Sequence, residues 1–423
     1  MIPAPPTDSR QYFAMAQFQN GQPHRVAHFL TQPAERGHFN RALVLCALAL
    51  LIALSSLVPD FVPELRAERR GMWVVAHTLE SRESIDECLR FAQSLRITDL
   101  IVQVRSRGDA YYETSLAPRA EILKSQPQFD PLAYVLKQAG RSGIRVHAWM
   151  NVYLLWSNPR APSDRSHPII RNASWLSQSA QTPRRNTGMD MVRELRGRNL
   201  EGAYISPAHP AARRYLLEII GEVLRKYRVH GLHLDYIRYA HEDYGFEEPM
   251  QLAFQRQFGV TPSALMWDSQ GVISKYGQSH FQRLVSAWEQ FRCQQITDLV
   301  SSVRTLVQRQ NPAPLLSMAV RPETKEARIR FGQDWGHWAN TGLLDKVLPM
   351  NYTPDDQLFI DRTRTMLQDV PRQMLWMGVA TYNQTGSSAA AKILQMRTLG
   401  LSDYVLFSYS SSRAYPQLLQ MLR

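Results

Sequence analysis

From residue 71 onward the apolar positions switch between two spacings. Short runs rich in Val, Leu, Ile and Met recur, and between them lie longer stretches whose apolar residues fall three or four apart. Eight runs read as strands: 72–76 (MWVVA), 100–104 (LIVQV), 145–150 (RVHAWM), 232–236 (LHLDY), 315–320 (LLSMAV), 347–351 (VLPMN), 375–380 (LWMGVA) and 404–409 (YVLFSY). Ile85, Cys88, Leu89, Ala92 and Leu95 make one helical stripe, and Leu216, Ile220, Val223 and Tyr227 another. A long third helix carries Leu284, Trp288, Leu299, Val303 and Leu306 and stops at Asn311-Pro312. Asp130-Pro131 and Pro210 mark helix starts, and Gly400 is placed to end the helix before the last strand.

Eight strand–helix units in about 350 residues predict an α/β fold, a (β/α)8 TIM barrel spanning 71–423. The alternative, an open doubly wound sheet, is expected to carry a glycine-rich turn after its first strand, and "MWVVAHTLES" has none. No second domain is predicted after the barrel.

The N-terminal part has a different pattern. Residues 1–41 are polar, rich in Gln and Pro and aperiodic, and are expected to lack fixed structure. Residues 42–58, "ALVLCALALLIALSSLV", carry no charge, with Arg36 and Arg41 before them and Asp60 and Glu64 after. That is the pattern of a secretory signal or of an N-terminal membrane anchor, followed by a linker over 59–70. Seventeen residues span about 25 Å as a helix, slightly short of the roughly 30 Å hydrocarbon core. Either way the barrel is expected to be exported, periplasmic or extracellular, or held on the inner membrane through an uncleaved 42–58.

Composition adds limits. The formal net charge is +12, and all but seven of the 49 basic residues are arginine. No arginine-rich run is interleaved with aromatics, so nucleic acid is not an expected partner. The excess reads first as a solvated basic surface; its functional reading is attraction to an anionic polymer or cell-surface layer. The three cysteines, Cys46, Cys88 and Cys293, have no metal-ligand spacing, and buried thiols are the expected state. His147 and His233 lie on different strands without an HxH or HExxH pattern. Core histidines are therefore expected, with no metal and no cofactor.

A barrel of this kind does its chemistry where strands run out into helix-bound loops. Those ends carry Arg105, Arg107 and Asp109 on the second strand, and Asn151, Tyr153 and Trp156 on the third. They carry Asp235 and Arg238 on the fourth, Arg321 and then Asp334-Trp335 on the fifth, Asn351 and Tyr352 on the sixth, and Tyr382 on the seventh. Carboxylates, amides and aromatic rings converging on one rim suit a sugar, whose hydroxyls need paired polar groups and whose apolar faces stack on rings. Glycosidic cleavage in most enzymes uses two carboxyl groups, one to protonate the leaving oxygen and one to act as nucleophile or to activate water.

On these landmarks the sequence resembles the glycosyl hydrolase-like 10 family of bacterial proteins. The resemblance runs from Gly71 to about Ser411 through "RGMWV", "VQVRSRGDAYYETSLAPRAE", "FDPLAYVLKQAGRSGIRVHAWMNVYLLWS", "HPAARRYLLEIIGEVLRKYRVHGLHLDYIRYA", "EDYGF", "QDW" and "LPMNYTPD". It implies a barrel with a glycoside hydrolase role, Asp235 inside the sugar cleft, and Asp109, Asn151, Arg238, Asp334 and Asn351 near the same rim. Ala240 departs from the proline that commonly follows "DYIRY" in related sequences, a change that bears on loop geometry and not on the acid.

Each candidate has a plainer reading beside the functional one. In its plainer reading Asp235 only pairs with Arg238 to fix the rim; the expected role is an ionised nucleophile or transition-state stabiliser beside that arginine. Asp109 follows Gly108 on a tight loop and would serve there as a turn residue. It is the first choice of second carboxylate, ahead of Glu242, Asp243, Asp334 and Asp355. Asp334 would alternatively cap the helix at Trp335. Tyr153, Trp156, Trp335 and Tyr352 are stacking platforms or ordinary packing. The long connection between Tyr153 and Gly202 reads as a cleft wall. The expected activity is cleavage of a cell-envelope or extracellular polysaccharide, with peptidoglycan glycan strands first. The rival is a catalytically silent carbohydrate-binding barrel.

Overall fold

In a computed structural model of the chain, residues 68–181, 188–197, 200–418 and 421 are described. The leader, the apolar segment 42–58 and most of the linker lie outside them. Among the described residues no helix is long and apolar enough to cross a membrane.

Eight parallel strands form the centre: β1 (Arg70–Val74), β2 (Asp99–Arg105), β3 (Arg145–Asn151), β4 (Gly231–Asp235), β5 (Leu315–Val320), β6 (Lys346–Pro349), β7 (Met377–Ala380) and β8 (Tyr404–Phe407). They pair in sequence order, and β8 pairs with β1. Parallel bridges Val347–Leu375 and Met350–Gly378 join β6 to β7, so the sheet closes on itself. Each of the eight predicted runs overlaps one of these strands, with ends shifted by a few residues, the usual scatter at element boundaries.

Alternation along each strand sorts its side chains. Leu232 and Leu234 of β4 join the large apolar layer under the helices, whereas Trp73, Ile101, Trp149, Leu348, Trp376 and Val405 fill the barrel's inside. His233 stands among that inner set. Trp73 Nε1 donates to its Nε2 at 3.3 Å, which leaves Nδ1–H for Ser317 Oγ at 2.9 Å. Burial, with His147 nearby, holds the His233 imidazole well below its ordinary pKa, and it is neutral. His147 bonds Asp99 at 2.9 Å, and a Cβ at Gly231 would stand 2.0 Å from its ring. Both histidines are core residues; His233 is satisfied at both nitrogens, whereas the buried Nδ1 of His147 has no hydrogen-bond partner among the described residues. Cys88 and Cys293 are free and buried.

The helices start as their sequences dictate. Asp130 caps Pro131–Arg141 by accepting from Ala133 N, and His209 does the same for Pro210–Lys226. The long helix runs Gln278–Gln308, and Gly400, at φ 77°, follows Gly386–Thr398. Two additions interrupt the regular alternation. After β3, Leu154–Trp156 pairs antiparallel with Ala203–Tyr204 at the two ends of the long connection. After β4, helices Glu248–Phe258, Pro262–Trp267 and Ser269–Tyr276 precede the long helix and pack around Phe254, Val260, Leu265, Val272 and Leu284.

Candidate active site

At the C-terminal mouth of the barrel lies a cleft of about 690 Å³. Its floor is an amide chain. Gln103 Oε1 accepts from Ala76 N at 3.1 Å, and its Nε2 donates to Asn151 Oδ1 at 3.3 Å. The same Asn151 oxygen accepts from Trp149 Nε1 at 2.9 Å, while Asn151 Nδ2 donates to Ser106 O at 2.8 Å. Aromatic rings form one wall: Tyr352 lies against Phe407 at a centroid distance of 5.1 Å, and Tyr382 stands edge-on to both at 6.1–6.2 Å. Tyr382 is 58% exposed, an open ring at the entrance.

Asp235 ends β4 on the strand's inward side, 7% exposed. Its Oδ1 accepts from Tyr236 N at 2.6 Å, and Tyr236 adopts a left-handed backbone, φ 52°, that is strained for a side chain of this size. Burial pushes the Asp235 carboxyl up to about 6, against the pull of the Tyr236 N–H and the Arg238 charge; the negative charge of Glu201 adds to the rise.

Arg238 does not pair with Asp235. Its Nη2 donates to Glu201 Oε1 at 3.0 Å, and its guanidinium lies 4.9 Å from the Tyr236 ring and 5.7 Å from that of Tyr204. Tyr204 donates to the other Glu201 oxygen at 3.2 Å. Burial works against ionisation of Glu201, but the Arg238 charge and the hydrogen bonds from its own backbone, Arg238 and Tyr204 hold the carboxyl below its ordinary value. Glu201 is half-exposed and lines the cleft with Asp235. Glu80, the third carboxylate of the lining, comes from the loop after β1.

The expected rim residues divide into two sets. Asp235, Asn151, Arg107, Arg238, Arg321, Tyr352 and Tyr382 line the cleft together. Arg105, Asp109, Tyr153, Trp156, Asp334, Trp335 and Asn351 lie off its wall. Arg105 is buried, with Nη1 donating to the carbonyls of Asn151 and Val152 at the end of β3. Asp109 closes its own turn by accepting from Arg107 N at 2.9 Å. Tyr153 and Trp335 are core residues, and buried Trp156 donates to Arg160 O at 2.9 Å. Asp334 stands at the N-cap of Trp335–Asn340 without a capping bond and pairs with Arg328 at 3.4 Å. Asn351 is buried and donates to Phe359 O at 3.0 Å.

The remaining carboxylate candidates are engaged elsewhere. Glu242 pairs with Arg330 at 3.2 Å, Asp243 bonds His241 and Ser179, and Asp355 caps the helix Asp356–Asp369 through Leu358 N. Glu201 was not among the expected residues, because it precedes the return strand of the long connection and ends no barrel strand. The connection supplies Leu154, Ser157 and Glu201 to the cleft wall.

The fold is a (β/α)8 barrel. The glycoside hydrolase domain of PgaB (BpsB) from Bordetella bronchiseptica superimposes with a TM-score of 0.63 at 14% identity, over 84% of this chain and 98% of that one. The catalytic domain of β-amylase from Paenibacillus polymyxa gives 0.52 at 10% identity, over 81% and 92%. These likenesses concern the fold. In sequence, residues 68–382 match the glycosyl hydrolase-like 10 profile, and the chain belongs to that family. Glycosyl hydrolase YngK of Bacillus subtilis (strain 168) is 21% identical over 78% of this chain, and glycosyl hydrolase DigH of Escherichia coli (strain K12) is 24% identical over 65%. The matches span 58% and 59% of those two proteins.

Proposed function

We propose that this barrel hydrolyses glycosidic bonds, with Asp235 as the general acid and Glu201 as its ionised partner. One observation carries the reading: two carboxyl groups of one cleft have their proton affinities displaced in opposite directions, with Arg238 bound to one of them. Such a separation distinguishes the acid from the base or nucleophile in carboxylate pairs. This reverses the role expected for Asp235, because the guanidinium that would have kept it ionised is committed to Glu201. Asp235 keeps its proton up to about pH 6 and delivers it to the glycosidic oxygen as the C1–O bond breaks. As that bond breaks, Glu201 either takes a proton from the water that attacks C1, or attacks C1 itself to form a glycosyl ester that water then cleaves, with Asp235 taking the water's proton; the anomer released reports which.

The substrate on this reading is a polysaccharide of the cell envelope or the extracellular space, peptidoglycan glycan strands first, met outside the cytoplasm after export directed by residues 42–58. The family, the aromatic wall and the amide floor support it. The test is reducing-end release from a panel of polymeric glycans by the full-length chain. Wild type releases new ends, whereas Asp235→Asn and Glu201→Gln bind the same glycan without releasing them. Binding without release by wild type, on a glycan it retains, would leave a lectin-like barrel instead.

A further inference from the structure

Phe331 gathers three guanidinium groups, those of Arg321, Arg330 and Arg238, at 4.5, 5.5 and 5.6 Å from its ring. Two of them have carboxylate partners. Arg330 bonds Glu242 at 3.2 Å and Glu326 at 2.7 Å, and Arg238 bonds Glu201 at 3.0 Å. Arg321 has no acidic partner among the described residues, although it leaves the end of β5, next to the strand of Asp235, and lines the cleft. Arg107, from the loop after β2, lines it too; its guanidinium lies 5.2 Å over Trp156, again without an acidic partner among the described residues.

A half-buried cation pressed towards another cation is unfavourable unless an anion arrives. No carboxylate of the cleft is ion-paired with Arg321 among the described residues: Glu201 is bound to Arg238, and the charges of Glu326 and Glu201 only partly offset the burial and the Arg238 charge that oppose the Arg321 cation. We infer that Arg321 recognises an anionic group of the ligand, and that the glycan bound here carries carboxylates on sugars beside the scissile bond. This rests on the hydrolase reading and specifies its substrate class. The planar guanidinium grips a carboxylate through two parallel hydrogen bonds, a geometry that a hydroxyl does not match in strength. Arg107 stands on the other side of Asp235 around the barrel, so acidic units on both sides of the cleavage point are accommodated. The +12 net charge steers an acidic polymer to the same protein.

The test uses pairs of acidic polysaccharides, polyuronates and envelope glycans among them, each in native form and after reduction of its carboxyls to alcohols. Affinity is measured with full-length Asp235→Asn, which retains substrate without turning it over, and with the same protein carrying Arg321→Gln. The native member of a pair is expected to bind about tenfold or more tightly than its reduced twin. Arg321→Gln removes that preference, and Arg321→Lys restores part of it. Equal binding of native and reduced twins overturns the inference and leaves the hydrolase reading standing. A preference that survives Arg321→Gln overturns the role given to Arg321. Neither binding nor release from any pair overturns the glycan reading, and this inference falls with it.

Discussion

Arg238 spans from the loop after β4 to Glu201, nitrogen to oxygen 3.0 Å, and leaves Asp235 without an ion pair among the described residues, although only two residues stand between Asp235 and Arg238 in the chain. The nearest positive charge is thus given to Glu201, the carboxylate that stays ionised on the proposed reading.

Loss of Asp235 is expected to remove activity and add stability. Asp235→Asn should lower kcat by about 10²–10⁴. The folded-state pKa, about 6, exceeds the ordinary 3.8, so the native state binds the proton more tightly than the unfolded chain does. The stability linked to that proton is complete below pH 4 and lost as pH rises through 6. The asparagine variant, uncharged throughout, should therefore melt higher than wild type at pH 7–8, by on the order of 3 kcal/mol at most, and show no such gain at pH 4. Denaturant melts at the two pH values check the sign.

Neutralising Glu201 should change the titration of its partner. In Glu201→Gln the negative charge that helps raise Asp235 is gone and Arg238 is released, so the Asp235 carboxyl should titrate at lower pH. A ¹³C NMR titration of the Asp235 carboxyl reads this directly. An unmoved midpoint would disconnect the two groups.

Tyr382 tests the aromatic wall. Its exposure at the entrance means that Tyr382→Ala should leave the melting temperature almost unchanged. Loss of one stacking ring, worth about 0.5–1.5 kcal/mol, should raise KM by roughly two- to tenfold with kcat little altered.

At the opposite end of the barrel, Asp99 tests stability alone. It takes two bonds from Arg145 at 2.7 and 2.8 Å and one from His147 at 2.9 Å. Burial opposes its charge, but these partners win and hold the carboxyl far below its ordinary value. Its stabilisation is present above pH 4 and fades as pH falls through that depressed pKa. Asp99→Asn should cost about 3–5 kcal/mol near neutrality. It should also reduce the wild-type loss of stability in acid.

The barrel was legible because strand and helix leave different periodicities, and eight repetitions of that contrast have few architectural solutions. Asp235 was legible for a related reason: an ionisable residue closing an apolar strand is conspicuous. Its protonation state was not, because this depends on where Arg238 turns after the strand ends. Arg105, Asp109 and Asn351 share the strand-end rule with Asp235, yet they serve backbone groups, which spacing along the chain cannot distinguish. Glu201 offered no periodic signal. Only the return of the long connection to pair with Leu154–Trp156 brings it to the mouth.

That origin has an evolutionary consequence. One carboxylate is carried by the rigid staves of the barrel and the other by an excursion between them, so the gap between the proposed catalytic pair is not fixed by the fold. Insertions or deletions in the excursion would alter this gap while the eight-stranded frame stayed intact. Descendants of one ancestor could then differ in the handedness of the sugar they release, or lose turnover altogether, without any change to their hydrophobic interior.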